Sequence, residues 1–294
     1  MIKLNHCIVC EETNLTNKIT CKDFTVSRES FTIVSCETCG FTFTNPRPKK
    51  DSLAKYYLSN DYISHTNNKT GLFNKMYQSV RKIAIRQKIK LLKSLKNTGL
   101  VLDVGCGTGE FLNACKKNGY KTVGFEPSDV ARKQAIESFK LNVMKNNDFK
   151  KLQDKSVSII TMWHVLEHIS NIEDVLANIS RVIDDEGVVF VAVPNHFSWD
   201  SQYYKEYWAA WDVPIHLWHF SEKTIKALFE KFQFELIKTK PMVFDSFYVS
   251  LLSEKYKTGS KNYIKSFIIG LLSNIIGMLS KKGHSSNIYV FKKL

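Results

Sequence analysis

The stretch Leu100-Val101-Leu102-Asp103-Val104-Gly105-Cys106-Gly107-Thr108-Gly109-Glu110-Phe111-Leu112 decides the fold. An apolar β run enters a glycine-rich turn, and Glu110 to Cys115 opens a helix. Strand, tight turn and helix in that order begin the nucleotide site of a doubly wound α/β sheet, where ligands gather beyond the strand C-termini. A dinucleotide fingerprint would need glycine at position 110, where this chain has a glutamate that would repel a pyrophosphate. The phosphate-binding run G-x-x-x-x-G-K-[ST] is absent, which excludes a P-loop.

The next strand, Lys121 to Phe125, ends in Glu126-Pro127-Ser128, and 23 residues separate Asp103 from Glu126, one βαβ unit. An acid at that tip is placed to accept both ribose hydroxyls of a ligand. A nucleoside without phosphate fits best. S-adenosylmethionine has an ammonium suited to Asp103 and a carboxylate suited to backbone N–H groups near the loop. Val157 to Met162 and Val188 to Val193 read as two further buried strands, the second stopped by Pro194-Asn195. Their ends put Trp163, His164, Pro194 and Asn195 at the rim of the site. Trp163 either stacks near an adenine or plugs the core. Trp163 to His168 reads as a helix start, and Ser170-x-x-Glu173 as a capping box for a helix through Val182.

Val101 to Gly109 followed by Gly124-Phe125-Glu126 resembles the first two motifs of class I S-adenosylmethionine-dependent methyltransferases. The resemblance implies a doubly wound, Rossmann-like, seven-stranded sheet and a cofactor site at Asp103, Gly105, Cys106, Gly107, Gly109, Glu126, Pro127 and Trp163. Cys106 and Gly109 there serve sterically. Trp163-His164-Val165-Leu166-Glu167-His168, with Trp211 to Ser221, resembles the subfamily that pairs a cysteine ribbon with a ubiquinone-pathway-like methyltransferase domain and often modifies sugars or other small metabolites. Ubiquinone O-methyltransferases resemble the first segment with Glu in place of His164, and such residues hold a divalent cation in them. His164, Glu167 and His168 would share one face of a helix. A structural hydrogen-bonding role ranks ahead of a cation site there.

Cys7-x-x-Cys10 and Cys36-x-x-Cys39 stand 25 residues apart. Two such knuckles complete a tetrahedral S4 site, so a structural zinc ribbon is expected on Cys7, Cys10, Cys36 and Cys39. Gly40 follows where the turn needs positive φ, and Phe31 to Val34 reads as a strand. The count of seven cysteines is odd, and Met1 to Cys10 lacks a basic start followed by a long apolar run, so a reduced, cytoplasmic chain is expected. No apolar stretch reaches the length of a spanning helix.

The 294 residues therefore divide into a ribbon at 1–45, a helical connector at 46–96 and a methyltransferase domain at 97–294. Within the connector, Leu53 to Tyr62 is helical in spacing, and a longer helix runs from about Leu72 to Leu95 with a basic, solvated outer face. Phe234 to Lys238 and Asn287 to Phe291 read as an antiparallel terminal hairpin around a helical insert at about 244–285. In the insert, Ile264, Phe267, Ile268, Leu271, Leu272, Ile275, Ile276 and Leu279 recur at helical spacing between lysines. Packing on the core or as a lid ranks first for that helix, ahead of a partner subunit or a peripheral membrane contact at 264–280.

Net charge is +14, yet only six of the 42 basic residues are Arg. Arg is the usual reader of phosphate and bases, so nucleic acid is disfavoured as a partner and an anionic small molecule preferred. His164, His168, His216 and His219 are the candidate general bases, since His titrates nearest neutrality. The leading expectation is methyl transfer to a saccharide, nucleotide-linked sugar or related metabolite. An RNA methyltransferase with a zinc module and a non-catalytic binding module are the alternatives.

Overall fold

The computed structural model describes residues 1–57, 72–145 and 148–294, with side chains of 72–77 left aside. Its centre is a seven-stranded sheet of order β10-β11-β8-β7-β4-β5-β6. The strands are β4 (Leu100–Val104), β5 (Lys121–Phe125), β6 (Val143–Met144), β7 (Val157–Trp163), β8 (Ile183–Pro194), β10 (Phe234–Pro241) and β11 (Ser286–Lys293). Strands β4 to β8 run parallel, while β11 is antiparallel to both β8 and β10. Strand order reverses between β4 and β7, so the loops leaving these two strands open a crevice at the switch point.

Helices α1 (Leu72–Lys93), α2 (Glu110–Lys117), α3 (Asp129–Phe139), α4 (Ile172–Val182), α5 (Trp199–Tyr204) and α6 (Glu222–Glu230) surround the sheet. Leu92, Leu112, Val101 and Phe190 share one core cluster, and Leu176, Ile179, Val189 and Phe229 another, as a two-faced parallel sheet requires. The expected capping box at Ser170 does not form. Asn171 stands at the N-cap of α4 without a side-chain cap bond, and its amide goes to the Asp174 carboxylate instead. The insert holds two helices where sequence spacing marked one: α7 (Asp245–Thr258) and α8 (Tyr263–Leu279). Ser residues dilute the apolar pattern of α7 and hide it.

The N-terminal segment forms β1 (Leu15–Lys22), β2 (Ser30–Cys36) and β3 (Thr42–Thr44), and β3 pairs with β9 (Trp218–His219). The ribbon sheet thus takes its fourth strand from the segment between α5 and α6. Phe41, Phe43 and Cys36 join the main core on one face, and Phe31 and Ile33 meet Trp208, Trp211 and Val249 on the other. Ribbon and methyltransferase sheet share their hydrophobic contacts. The connector turns helical at Lys50–Leu53 and Ala54–Tyr57, and the rest of its first expected helix, 58–62, lies outside the described residues.

Candidate functional site

The crevice begins at the glycine loop. Gly105 and Cys106 donate their N–H groups to the Phe125 carbonyl at 2.7 and 3.0 Å, which locks the exit of β4 onto β5. Gly109 caps α2 at φ 83°, where a Cβ would lie 2.7 Å from Leu141 Cδ1. Gly107 also has positive φ, 54°, but open space surrounds it within 4 Å. A side chain there would fill the cradle rather than strike the fold. Cys106 packs its sulfur beneath Gly124, where an added Cβ would sit at 2.6 Å from it.

Glu126 sits at the tip of β5, buried, with both oxygens engaged. Oε2 accepts the Gly107 amide and Oε1 the Ser128 amide, each at 2.8 Å. Each oxygen keeps a lone pair for a vicinal diol. Pro127 follows at the exposed mouth. Asp103 is buried and accepts from the Thr161 hydroxyl at 2.6 Å. Burial pushes its carboxyl up to about 7, against the Thr161 bond and the Lys88 charge. An ammonium placed beside it would draw it back to the carboxylate.

Trp163 ends β7 with its ring edge-on to Phe111, centroids 5.2 Å apart. Lys88 Nζ lies 4.0 Å from the indole centroid, and burial lowers that amine to about 8. The indole Nε1 is buried without a partner, a donor left for a ligand. Sequence reading assigned most of the lysines of α1 to a solvated face. Lys88 stands three residues after Ile85 and four before Leu92, on the packed face, and that spacing was the available signal.

His164 departs from expectation. It has φ 55°, so no helix starts here, and the chain turns before a 3₁₀ turn at Leu166–His168. Its Nδ1 meets Glu167 Oε1 at 3.3 Å and its Nε2 meets Asp245 Oδ2 at 3.0 Å. Burial opposes the charge, but the two carboxylates raise the imidazole to about 10. Carboxylates face both ring nitrogens, an arrangement that favours the protonated ring over a free base or cation ligand at His164.

His216 takes the place expected of His164. Among the described residues, Glu167, His168 and His216 offer ligand atoms that all lie within 4.8 Å of one another. His168 Nδ1 donates to the Ile215 carbonyl at 3.1 Å, and His216 Nδ1 to the Ala210 carbonyl at 2.9 Å. Nε2 of each ring is therefore the unprotonated nitrogen. Burial holds both imidazoles below their ordinary value, His216 far below. Glu167 is fully buried, and its Oε2 has no partner. Asp212, whose Oδ2 is 4.0 Å from His216 Nε2, is pushed up to about 7 by burial, with Asp23 and Glu167 adding. Tyr57 reaches the group from the connector, its hydroxyl 3.2 Å from His168 Nδ1.

His219 belongs to the ribbon sheet instead. Its Nε2 donates to the Thr44 hydroxyl at 3.0 Å, which itself donates to the His216 carbonyl at 2.8 Å. Burial, with Lys18 nearby, lowers it to about 3. Pro194 pairs with Ser286 inside the sheet, and Asn195 is buried, its amide on the Lys282 and His284 carbonyls. Pro194 lines a small cavity with His216 and His219, whereas Asn195 is turned into the fold.

The four ribbon sulfurs converge. Cys7 Sγ to Cys39 Sγ and Cys10 Sγ to Cys36 Sγ are each 3.5 Å, and Val9 and Phe41 amides point at Cys7 and Cys39. A tetrahedron with Zn–S of about 2.3 Å has edges of about 3.8 Å. The donor set fits one tetrahedral zinc.

A family model described as a methyltransferase domain matches residues 58–239, more than half of the chain. An uncharacterized protein of Methanocaldococcus jannaschii is 27% identical over 42% of this chain, which spans only 47% of that relative. The ubiquinone biosynthesis O-methyltransferase of Rickettsia bellii is 23% identical over 78% of this chain and 98% of its own length. Magnesium protoporphyrin IX methyltransferase from Synechocystis PCC 6803, solved with bound SAH, superposes with a TM-score of 0.55 at 12% identity, over 84% of this chain and all of that one. At that identity the likeness speaks for the fold alone.

Proposed function

The chain belongs to the methyltransferase-domain family as a class I S-adenosylmethionine-dependent methyltransferase, and from that premise we propose that its acceptor is a small-molecule hydroxyl deprotonated at the His168–His216–Glu167 cluster. One observation carries the reading. Two imidazoles have Nδ1 directed at backbone carbonyls, which leaves two Nε2 lone pairs beside an unpartnered carboxylate oxygen. The cluster follows β7 directly, and β7 lies beside β4 in the sheet, with Asp103 opposite Thr161. S-adenosylmethionine supplies a methyl group already activated on a sulfonium. The protein aligns the acceptor with it and removes one proton. The ubiquinone-biosynthesis relative is named as an O-methyltransferase, which agrees with a hydroxyl acceptor. Nothing among the relatives points to a saccharide, so the proposal is for a hydroxyl and not for a sugar.

Asp103 would hold the ammonium and Glu126 the ribose diol, with Gly107 leaving room between them. The cluster is also a fitting donor set for a divalent cation, through Glu167, His168 and His216 in place of the expected His164. Such a cation would lower the pKa of a coordinated hydroxyl. Zinc at the ribbon would be structural, since four thiolates close its shell.

The test is product analysis. The protein, S-adenosylmethionine and matched phenols, alcohols and amines are incubated, and methylated products are identified by mass spectrometry. Methyl ethers support the reading, and methylation confined to nitrogen or carbon would overturn it.

A further inference from the structure

Helix α8 is built inside out. Its buried face carries one large aliphatic residue, Ile269, among the small or polar Ser266, Gly270, Ser273, Asn274 and Gly277. Its outward face carries Ile264, Phe267, Ile268, Leu271, Ile275 and Met278, exposed by 77, 59, 49, 43, 43 and 76%. The inward contacts are close and polar. Ser246 Oγ donates to the Gly270 carbonyl, and Asn274 Nδ2 to Ser246 Oγ at 2.9 Å. Ser273 Oγ donates to Asp200 at 2.7 Å. A Cβ on Gly270 would stand 2.7 Å from the Phe247 ring, so α7 and α8 approach through the missing side chain.

Water penalises this arrangement and hydrocarbon rewards it. Helices packed through small residues and serine hydrogen bonds, with large aliphatic groups outside, follow the pattern of helices in lipid. Yet α8 does not span. Seventeen residues make about 26 Å, short of a core of about 30 Å, and no described helix is long and apolar enough to cross a membrane. Such a helix lies in the interfacial plane with its apolar face down.

Charge selects the surface. Lys261 and Lys265 stand at one end of α8 and Lys281 and Lys282 at the other, and no acidic side chain follows Glu254. Lys265 is paired with Glu254 at 3.0 Å, whereas Lys261 and Lys281 are exposed. Two copies meeting on this face would bring like lysine rims and two +14 chains together, while an anionic lipid surface would attract both. We propose that the exposed face of α8 docks the protein peripherally on anionic lipid.

The full chain is sedimented with vesicles of phosphatidylcholine, with and without about one third phosphatidylglycerol. Expected is co-sedimentation with the anionic vesicles that falls as salt is raised. The variant Ile264→Gln/Ile268→Gln/Ile275→Gln should lose about tenfold or more of that binding, with S-adenosylhomocysteine affinity by calorimetry unchanged as the check of folding. Lys261→Glu/Lys281→Glu should weaken it independently. Wild type that stays in solution, or that binds neutral vesicles equally, would overturn the proposal. So would a dimer that the triple substitution dissociates while neither form binds vesicles, since a second copy would then cover the face.

Discussion

His164 Nε2 lies 3.0 Å from Asp245 Oδ2, and this pair fastens the end of β7 to the first turn of α7. Burial disfavours the charge on Asp245, yet the His164 bond holds its carboxyl below the ordinary value. The insert is thereby tied to the segment between β7 and the turn that carries the candidate base His168. It also explains why His164 is spent as a cation.

The first prediction concerns this pair. Asp245→Asn removes one of the two carboxylates that hold the proton, so the His164 titration should fall toward neutrality in an NMR experiment. The folded pKa, about 10, lies above the unfolded value, so the pair stabilises fully below about pH 6.5 and loses this as pH rises toward 10. Wild type should exceed the variant by about 1 kcal/mol near pH 6, a modest figure because about a third of the imidazole meets solvent. The gap should close in alkaline denaturant melts. A gap independent of pH would contradict the ionic assignment.

Cofactor binding is tested at two loop positions. Glu126→Gln keeps the shape but halves the acceptors, and should weaken S-adenosylhomocysteine by about tenfold or more. Gly107→Arg should abolish binding, because its side chain would occupy the open space beside Gly107 that the proposed cofactor needs. Calorimetry reads both, and melting curves check that each variant folds.

For the proposed bases, single-turnover rates separate the roles. His168→Ala and His216→Ala should each slow transfer to a hydroxyl by about 10²- to 10⁴-fold while S-adenosylhomocysteine affinity stays the same. His219→Ala should affect stability and not the chemical step, since its ring is committed to Thr44. Equal rate losses in all three would argue for a general structural defect.

Acid should unfold the protein early. His196, His216 and His219 are buried as neutral rings, with His219 lowered to about 3. The unfolded chain binds protons at these sites from about pH 6.5 downward, so stability must fall as pH drops through that window. Thermal melts at pH 7.5 and 5.5 should show the loss, reduced in a His219→Gln variant that keeps a donor toward Thr44.

Metal analysis should find about one zinc per chain, lost in Cys7→Ser/Cys36→Ser. Because β3 pairs with β9 and both sheets share a core, loss of zinc should lower one common unfolding transition. Two separate transitions, with the lower one alone sensitive to chelator, would mean that the ribbon folds independently.

Strand β6 is only two residues long and left no pattern to read, whereas the glycine loop, the acid at the tip of β5, the other six of the seven strands and the four ribbon cysteines were legible in the chain. Each rests on hydrogen bonding or ligation between residues close in sequence, or on an apolar period that a parallel sheet imposes. Tertiary structure alone decided the rest. Trp218-His219 became the fourth ribbon strand because its partner, Phe43, lies far back in the chain. His164 adopts a positive φ just beyond β7 and its ring bridges Glu167 to Asp245 of the distant insert, while His216 joins Glu167 and His168 beside the hydrogen bond from the Leu217 amide to the Glu167 carbonyl. Lys88 became a site residue through the packing of α1 over Trp163. The helical period of α8 was visible, but its direction was not. Periodicity records that one face is apolar, and only the close approach of Gly270 to Phe247 determines that the apolar face points outward.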